Sequence, residues 1–236
     1  MSLRAAWMVA WVLIGALTGP ARAGGDAAPA AEGEAVQRCA EHAADRVQAH
    51  YDALRDMRAR FRQTTRSVAF AGGSGEAESA QGEVFFAKPG RMRWVYEGPE
   101  RHLVVSDGQT LWIYDELAGE VQVLPVGRAF LSGAAVQFLL GKGRLRESFR
   151  VEARACDARR ARLHLTPRKE ATYQWLELEV ELPGGRILET EVADLFGNRT
   201  RVQLSKVREN LGLSADLFHL DPPPGAQVIE IAPGSP

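Results

Sequence analysis

From Ala35 to Phe61 the apolar residues recur at three- and four-residue steps: Val36, Cys39 and Ala40, Ala43, Val47, Tyr51, Leu54, Met57 and Phe61. Charges stand between them, and the run holds neither Gly nor Pro. The spacing places them on one stripe, so a single amphipathic helix of about 25 residues is predicted from Ala35 onward. After a Gly/Ser-rich loop at 71–75 the period drops to two and stays there for most of the chain. Strands are predicted at 81–88, 91–97, 103–107, 110–115, 120–124, 149–154, 160–166, 173–182, 186–193 and 199–208. Pro89-Gly90, Gly108-Gln109, Pro183-Gly184-Gly185 and Gly197-Asn198 supply turns. One segment breaks the series: 134–140 (AAVQFLL), stopped by Gly141, reads as a short helix whose Val136, Phe138, Leu139 and Leu140 need burial.

Alternation assigns faces to the strands. Val84, Phe86 and Lys88 share one face, as do Met92, Trp94 and Tyr96, with Arg91, Arg93 and Glu97 opposite. Leu176, Leu178, Val180 and Leu182 oppose Glu177, Glu179 and Glu181, and Val202 and Leu204 oppose Arg201 and Gln203. One face is thus expected to be apolar and the other charged. A long antiparallel sheet of this kind curls or packs its apolar face on something, and the helix and the 134–140 segment are the coverings at hand. The expectation is a mainly β (α+β) domain, a curved sheet of about ten to eleven strands closed by helices.

The chain opens differently. Arg4 precedes a 13-residue apolar run at 5–17, and Gly19-Pro20 stands ahead of Ala21-Arg22-Ala23, a small-x-small cleavage site. The run is short of the roughly 20 residues that span a bilayer, so residues 1–23 read as a secretory signal peptide cleaved after Ala23. Residues 24–34 are small and polar without period and read as a flexible leader, leaving 35–236 as one domain. No Cys follows the apolar run where lipidation requires one, so a soluble, exported chain is expected.

Composition sharpens this picture by exclusion. With 45% hydrophobic and 25% charged residues the chain is too apolar for disorder, and 29 Lys+Arg against 30 Asp+Glu argue against a nucleic-acid partner. The five His form no metal-ligand spacing, and no nucleophile elbow, P-loop or dinucleotide fingerprint occurs; no catalytic residue, metal or cofactor is expected. Glu177 and Glu179 lie on the solvent side of a strand, where carboxylates are solvated rather than catalytic. Asn198-Arg199-Thr200 matches a glycosylation sequon but sits in a turn, where Asn serves the turn itself. Cys39 and Cys156 are the only thiols, hence the only possible disulfide pair in an exported protein.

Several ordered pieces resemble a known family. They are Phe61-Arg62-Gln63, then Gly82-Glu83-Val84-Phe85-Phe86-Ala87-Lys88-Pro89-Gly90-Arg91-Met92-Arg93-Trp94, then Ser106-Asp107-Gly108-Gln109-Thr110-Leu111-Trp112-Ile113-Tyr114. Asp194-Leu195-Phe196-Gly197-Asn198-Arg199-Thr200 and Phe218-His219-Leu220-Asp221-Pro222-Pro223-Pro224-Gly225 complete the set. Together, over about residues 45–230, they resemble the LolA family of periplasmic lipoprotein carriers. The resemblance implies an incomplete antiparallel β-barrel with an α-helical lid. It also implies a periplasmic, non-enzymatic chaperone, working as a monomer. Such a carrier takes triacylated lipoproteins from a LolCDE-type inner-membrane transporter and passes them to a LolB-like outer-membrane acceptor. Lys88 matches a basic position, usually Arg, that latches the lid by hydrogen bonds to helix carbonyls. Tyr51, Leu54, Phe61, Val84, Phe86, Met92, Trp94, Tyr96, Leu139 and Leu140 are the expected cavity-lining residues. The residues leave one alternative open, a lipid-binding or envelope-sensor module on the same scaffold.

Overall fold

The computed structural model describes residues 27–68, 77–98, 100–126 and 143–231. Helix α1 runs Ala27–Ala53 and strand β1 follows at Asp56–Arg66, and both bounds correct the sequence expectation. The helix starts before Ala35, so residues 27–34 are helical rather than a flexible leader. Ala27, Ala28, Ala30 and Ala31 are the strongest helix formers, and Pro29 falls in the first turn, where no N–H partner is needed. The helix ends before Phe61 because 56–66 obeys a period of two. Met57, Ala59 and Phe61 are buried while Arg58 and Arg62 are exposed. A helix would seat Phe61 beside Arg58, three residues away, whereas a strand sends the two to opposite faces. At the corner the buried Asp56 carboxylate accepts hydrogen bonds from the backbone N–H groups of Leu211 (2.6 Å) and Gly212 (3.0 Å). It thereby holds the chain leaving the last long strand against the start of β1.

The remaining strands are β2 Glu78–Ala87, β3 Arg91–Glu97, β4 His102–Ser106, β5 Thr110–Asp115, β6 Glu120–Pro125 and β7 Phe149–Cys156. They continue as β8 Arg160–Pro167, β9 Tyr173–Glu181, β10 Arg186–Asp194, β11 Arg199–Glu209 and β12 Gln227–Glu230. All join one 12-stranded sheet of order β12-β6-β5-β4-β3-β2-β1-β11-β10-β9-β8-β7. Two meanders meet where β1 pairs antiparallel with β11, and only β12, laid parallel on β6, departs from the antiparallel pattern. The sheet is open rather than a closed barrel, with β7 and β12 at its edges. β1 and β12 are the strands absent from the sequence expectation. The predicted helix at 134–140 lies outside the described residues.

Helix α1 lies over β7, β8 and β10. Its inward stripe of Ala40, Ala43, Ala44 and Val47 is fully buried, and these short side chains let it approach Leu163, Leu165 and Val180 closely. A disulfide joins Cys39 of α1 to Cys156 at the end of β7. Farther along, Arg46 Nε donates to Pro183 O at 2.6 Å, and Gly185 (φ +83°) packs so tightly that a Cβ there would stand 2.2 Å from Arg46 O. A short helix α2, Leu145–Ser148, closes the far side, its Leu145 N–H donating to Gln48 Oε1.

The expectation of one apolar and one charged face holds for only part of the sheet. Over β4–β6 the outer face is also apolar, with Val105, Trp112 and Val121 buried beneath Leu220. The C-terminal segment supplies this cover. A 3-10 turn at Ala215–Phe218, capped by Ser214, buries Phe218 under Arg91, and Arg93 Nη1 donates to Leu217 O. The outer face of β4 and β5 is apolar because it packs against this tail. No helix among the described residues is long and apolar enough to cross a membrane.

Candidate functional site

The inner face of the sheet is the face toward α1. Cross-strand register puts Met57, Phe86, Met92, Ser106, Leu111 and Leu124 in one row, and Ala59, Val84, Trp94, Val104 and Ile113 in the next. Between Lys88 at one end and His102 and Asp115 at the other, the inner positions of β2–β5 carry no charge. The rows split into two regions. Under α1 the face is a filled core that includes Tyr51, Leu54, Phe61 and Val84. Beyond it Met92 and Leu111 are buried, while Phe86, Trp94, Val104, Ile113 and Leu124 are only partly covered.

An aromatic row bridges the two regions. Phe61 meets Trp94 edge-on at 4.8 Å and Tyr96 at 5.0 Å, Phe86 meets Trp94 at 5.9 Å, and Tyr96 stacks on His102 at 3.8 Å. Such pairs hold ring orientations better than aliphatic contacts do. Tyr96 Oη donates to Gln63 Oε1 at 3.1 Å, which satisfies its one polar atom, and burial pushes the Tyr96 phenol pKa up. Burial does the same to Tyr51. Gly82 makes the row possible: it lies opposite both Phe61 and Tyr96 and leaves the floor flat beneath their rings. A cavity of about 290 Å³ opens at the ends of β3–β5, between Tyr96, Arg101, His102, Tyr114 and Glu116. Its lining is mixed and its size lies at the bottom of the ligand-pocket range, so the apolar floor beside it is the surface that suits alkyl chains.

Lys88 stands at the end of β2 on the inner face, where alternation from Val84 and Phe86 puts it. Its Nζ donates to Asp52 O at 3.3 Å and to Tyr51 O. These are last-turn carbonyls of α1, where a helix offers acceptors to outside donors, and a cation there also meets the negative end of the helix dipole. Lys88→Leu removes the donor and is expected to cost about 1–2 kcal/mol of local stability, leaving the sheet folded. Faster amide exchange confined to the end of α1 is the measurement that checks it, and Lys88→Arg should restore protection.

Residues 52–221 match the family model described as "Outer membrane lipoprotein carrier protein LolA". The chain belongs to the LolA family. A Methylibium petroleiphilum relative named outer-membrane lipoprotein carrier protein is 36% identical over 173 residues, covering 73% of this chain and 81% of the relative. One of the same name from Chromobacterium violaceum is 30% identical over 213 residues, covering 90% and 95%. A crystal structure of an uncharacterized conserved protein from Thermus thermophilus has the same fold. It aligns with a TM-score of 0.50 at 15% identity, covering 81% of this chain and 99% of that one.

In this LolA-family chain the matched stretch begins at the last turn of α1, so Cys39 precedes it and Cys156 lies within it. Of the residues singled out from sequence, Tyr51, Leu54, Phe61, Val84, Phe86, Trp94 and Tyr96 are brought into one contiguous cluster, and Met92 centres the adjoining one. Phe61 reaches the cluster from β1, not from the helix. Leu139 and Leu140 lie outside the described residues. Sequence reasoning misses Met57, Gln63, Val104, Ile113 and Leu124 on the same face, all marked by a period of two carried through the register. On the outer face Glu177 is hydrogen-bonded to His164 (3.1 Å) and Glu179 accepts from Arg160 (2.6 Å).

Proposed function

We propose that this chain is a periplasmic, non-enzymatic carrier that shields the acyl chains of triacylated lipoproteins on the inner face of its sheet. It receives them from a LolCDE-type inner-membrane transporter and delivers them to the outer membrane through a LolB-like acceptor. The observation that carries the reading is the partly covered aromatic and aliphatic floor, Phe86, Trp94, Val104 and Ile113 around Met92, next to a helix end held by Lys88. The relatives named outer-membrane lipoprotein carrier protein support it.

The energetics suit the task. An acyl chain of about fourteen methylenes gains roughly 11 kcal/mol on leaving water, so release of three chains into water is negligible and transfer must run from one shielded site to the next. A carrier that covers its own floor when empty binds less favourably than a permanently open one, because uncovering offsets part of the gain. Met92, with its flexible thioether, accommodates alkyl chains of no fixed shape. Lys88 is the latch in this scheme, holding the end of α1 while the floor is covered. The test is the cargo itself: protein purified from the periplasm of cells expressing a triacylated lipoprotein should carry that lipoprotein in a one-to-one complex, identified by mass spectrometry. Copurification of free glycolipids or polyprenoids in its place sinks the proposal.

A further inference from the structure

The β10–β11 turn is built more firmly than a surface loop requires. Asp194 Oδ1 accepts from the N–H groups of Phe196 and Asn198, both at 2.9 Å, and its Oδ2 accepts from Asn198 Nδ2 at 2.7 Å. Gly197 takes φ +90°, Asn198 Oδ1 accepts from Val68 N (3.0 Å), and Gln174 Nε2 donates to Leu195 O (3.2 Å). Each polar member of the turn is thus used in fixing its shape. Leu195 and Phe196 have no such part: they project from it 58% and 82% exposed, with Val68, also exposed, against Gly197. Two adjacent large apolar side chains held rigidly in water confer no folding advantage, which points to something they contact.

The surroundings identify the chemistry of that contact. Arg66 and Arg199, register partners across β1 and β11, are exposed beside the turn, and Lys169 is exposed on the β8–β9 connection next to it. Arg199 lies over the half-buried Trp175 ring at 5.4 Å. Against these cations, Glu170 is exposed on the same connection, while the Asp194 carboxylate is taken up by the turn. A tip of two or three side chains is far too small for a stable protein interface, which buries about 1,200–2,000 Å². A bilayer imposes no such minimum. It needs apolar side chains to enter the acyl boundary, an indole at the interface and cations among anionic headgroups.

We infer that this turn is a membrane-contact tip, with Leu195 and Phe196 entering the interfacial zone of an anionic bilayer while Arg66, Arg199 and Trp175 lie at headgroup level. The inference does not depend on the inner face holding acyl chains. In its exported form, the protein should cosediment with phosphatidylethanolamine–phosphatidylglycerol vesicles. Leu195→Ser with Phe196→Ser should lower the partition coefficient at least about tenfold. Arg66→Gln with Arg199→Gln should weaken binding several-fold and flatten its salt dependence. The serine variant should keep the wild-type unfolding midpoint and its affinity for a triacylated lipopeptide, which separates this site from the inner face. Wild-type protein that fails to cosediment, or a serine variant that cosediments equally well, overturns the inference. So does a concentration-dependent dimer that disappears with the serine substitutions and accounts for the sedimentation.

Discussion

Replacing Cys39 and Cys156 by serine, or reducing the native protein, will lower its stability by about 4–5 kcal/mol. The bridge spans 117 residues, and in the chain-entropy model a loop of that length removes this much freedom from the unfolded chain. For a protein of this size the loss corresponds to a fall in unfolding midpoint of roughly 10–15 °C. The helix has particular need of the bridge. Three of the four residues in its fully buried stripe are alanines, so its packing on β7 and β8 removes little apolar area per residue from water. Calorimetry with and without reductant, alongside the Cys39→Ser/Cys156→Ser variant, measures the effect. An unchanged midpoint would show that the tether adds nothing. While the bridge is intact, with Arg46 bound to Pro183 and Gly185 pressed against the helix backbone, α1 is fixed from Cys39 to Val47. Beyond that stretch, Lys88 holds the last turn of the helix.

The sequence pattern makes the β2–β3 hairpin plain, because Val84 and Phe86 alternate cleanly, Met92, Trp94 and Tyr96 answer them, and Pro89-Gly90 marks the turn. β1 is hidden by coincidence. Leu54, Met57 and Phe61 fit helical steps, while the residue that reveals a strand, Ala59, is too small to weigh in a hydrophobicity pattern although it is buried. The tail from Leu211 to Glu230 is illegible for another reason: it has no periodicity of its own, and its structure is imposed by the apolar outer face of β4–β6. The candidate site is half legible. Alternation gives the face of each side chain, but only the register shows that residues as distant in sequence as Phe61, Trp94 and His102 form one row. The Lys88 contact with the end of α1 needs tertiary placement of the helix, which no local pattern contains.

Gly82→Ala should be among the most damaging single-atom additions in the chain, costing at least about 3 kcal/mol, the upper range for overpacked cores. A Cβ at this position would lie 1.8 Å from Val95 O and 2.9 Å from the Phe61 ring, and the first of these is backbone that cannot swing aside. Relief requires β3 to separate from β2 or Phe61 to leave the row, and either change disturbs Trp94 and Tyr96. The variant should therefore lose affinity for a triacylated lipopeptide even under conditions where it remains folded. Gly33→Ala is the matched control: at an exposed position of helix α1, with nothing within 4 Å of the new Cβ, the same substitution should stabilise by up to about 1 kcal/mol. Denaturant unfolding of both variants settles the matter, since opposite signs identify a steric demand at Gly82. Equal, small effects would mean that the strands yield easily and that the aromatic row is not a fixed floor.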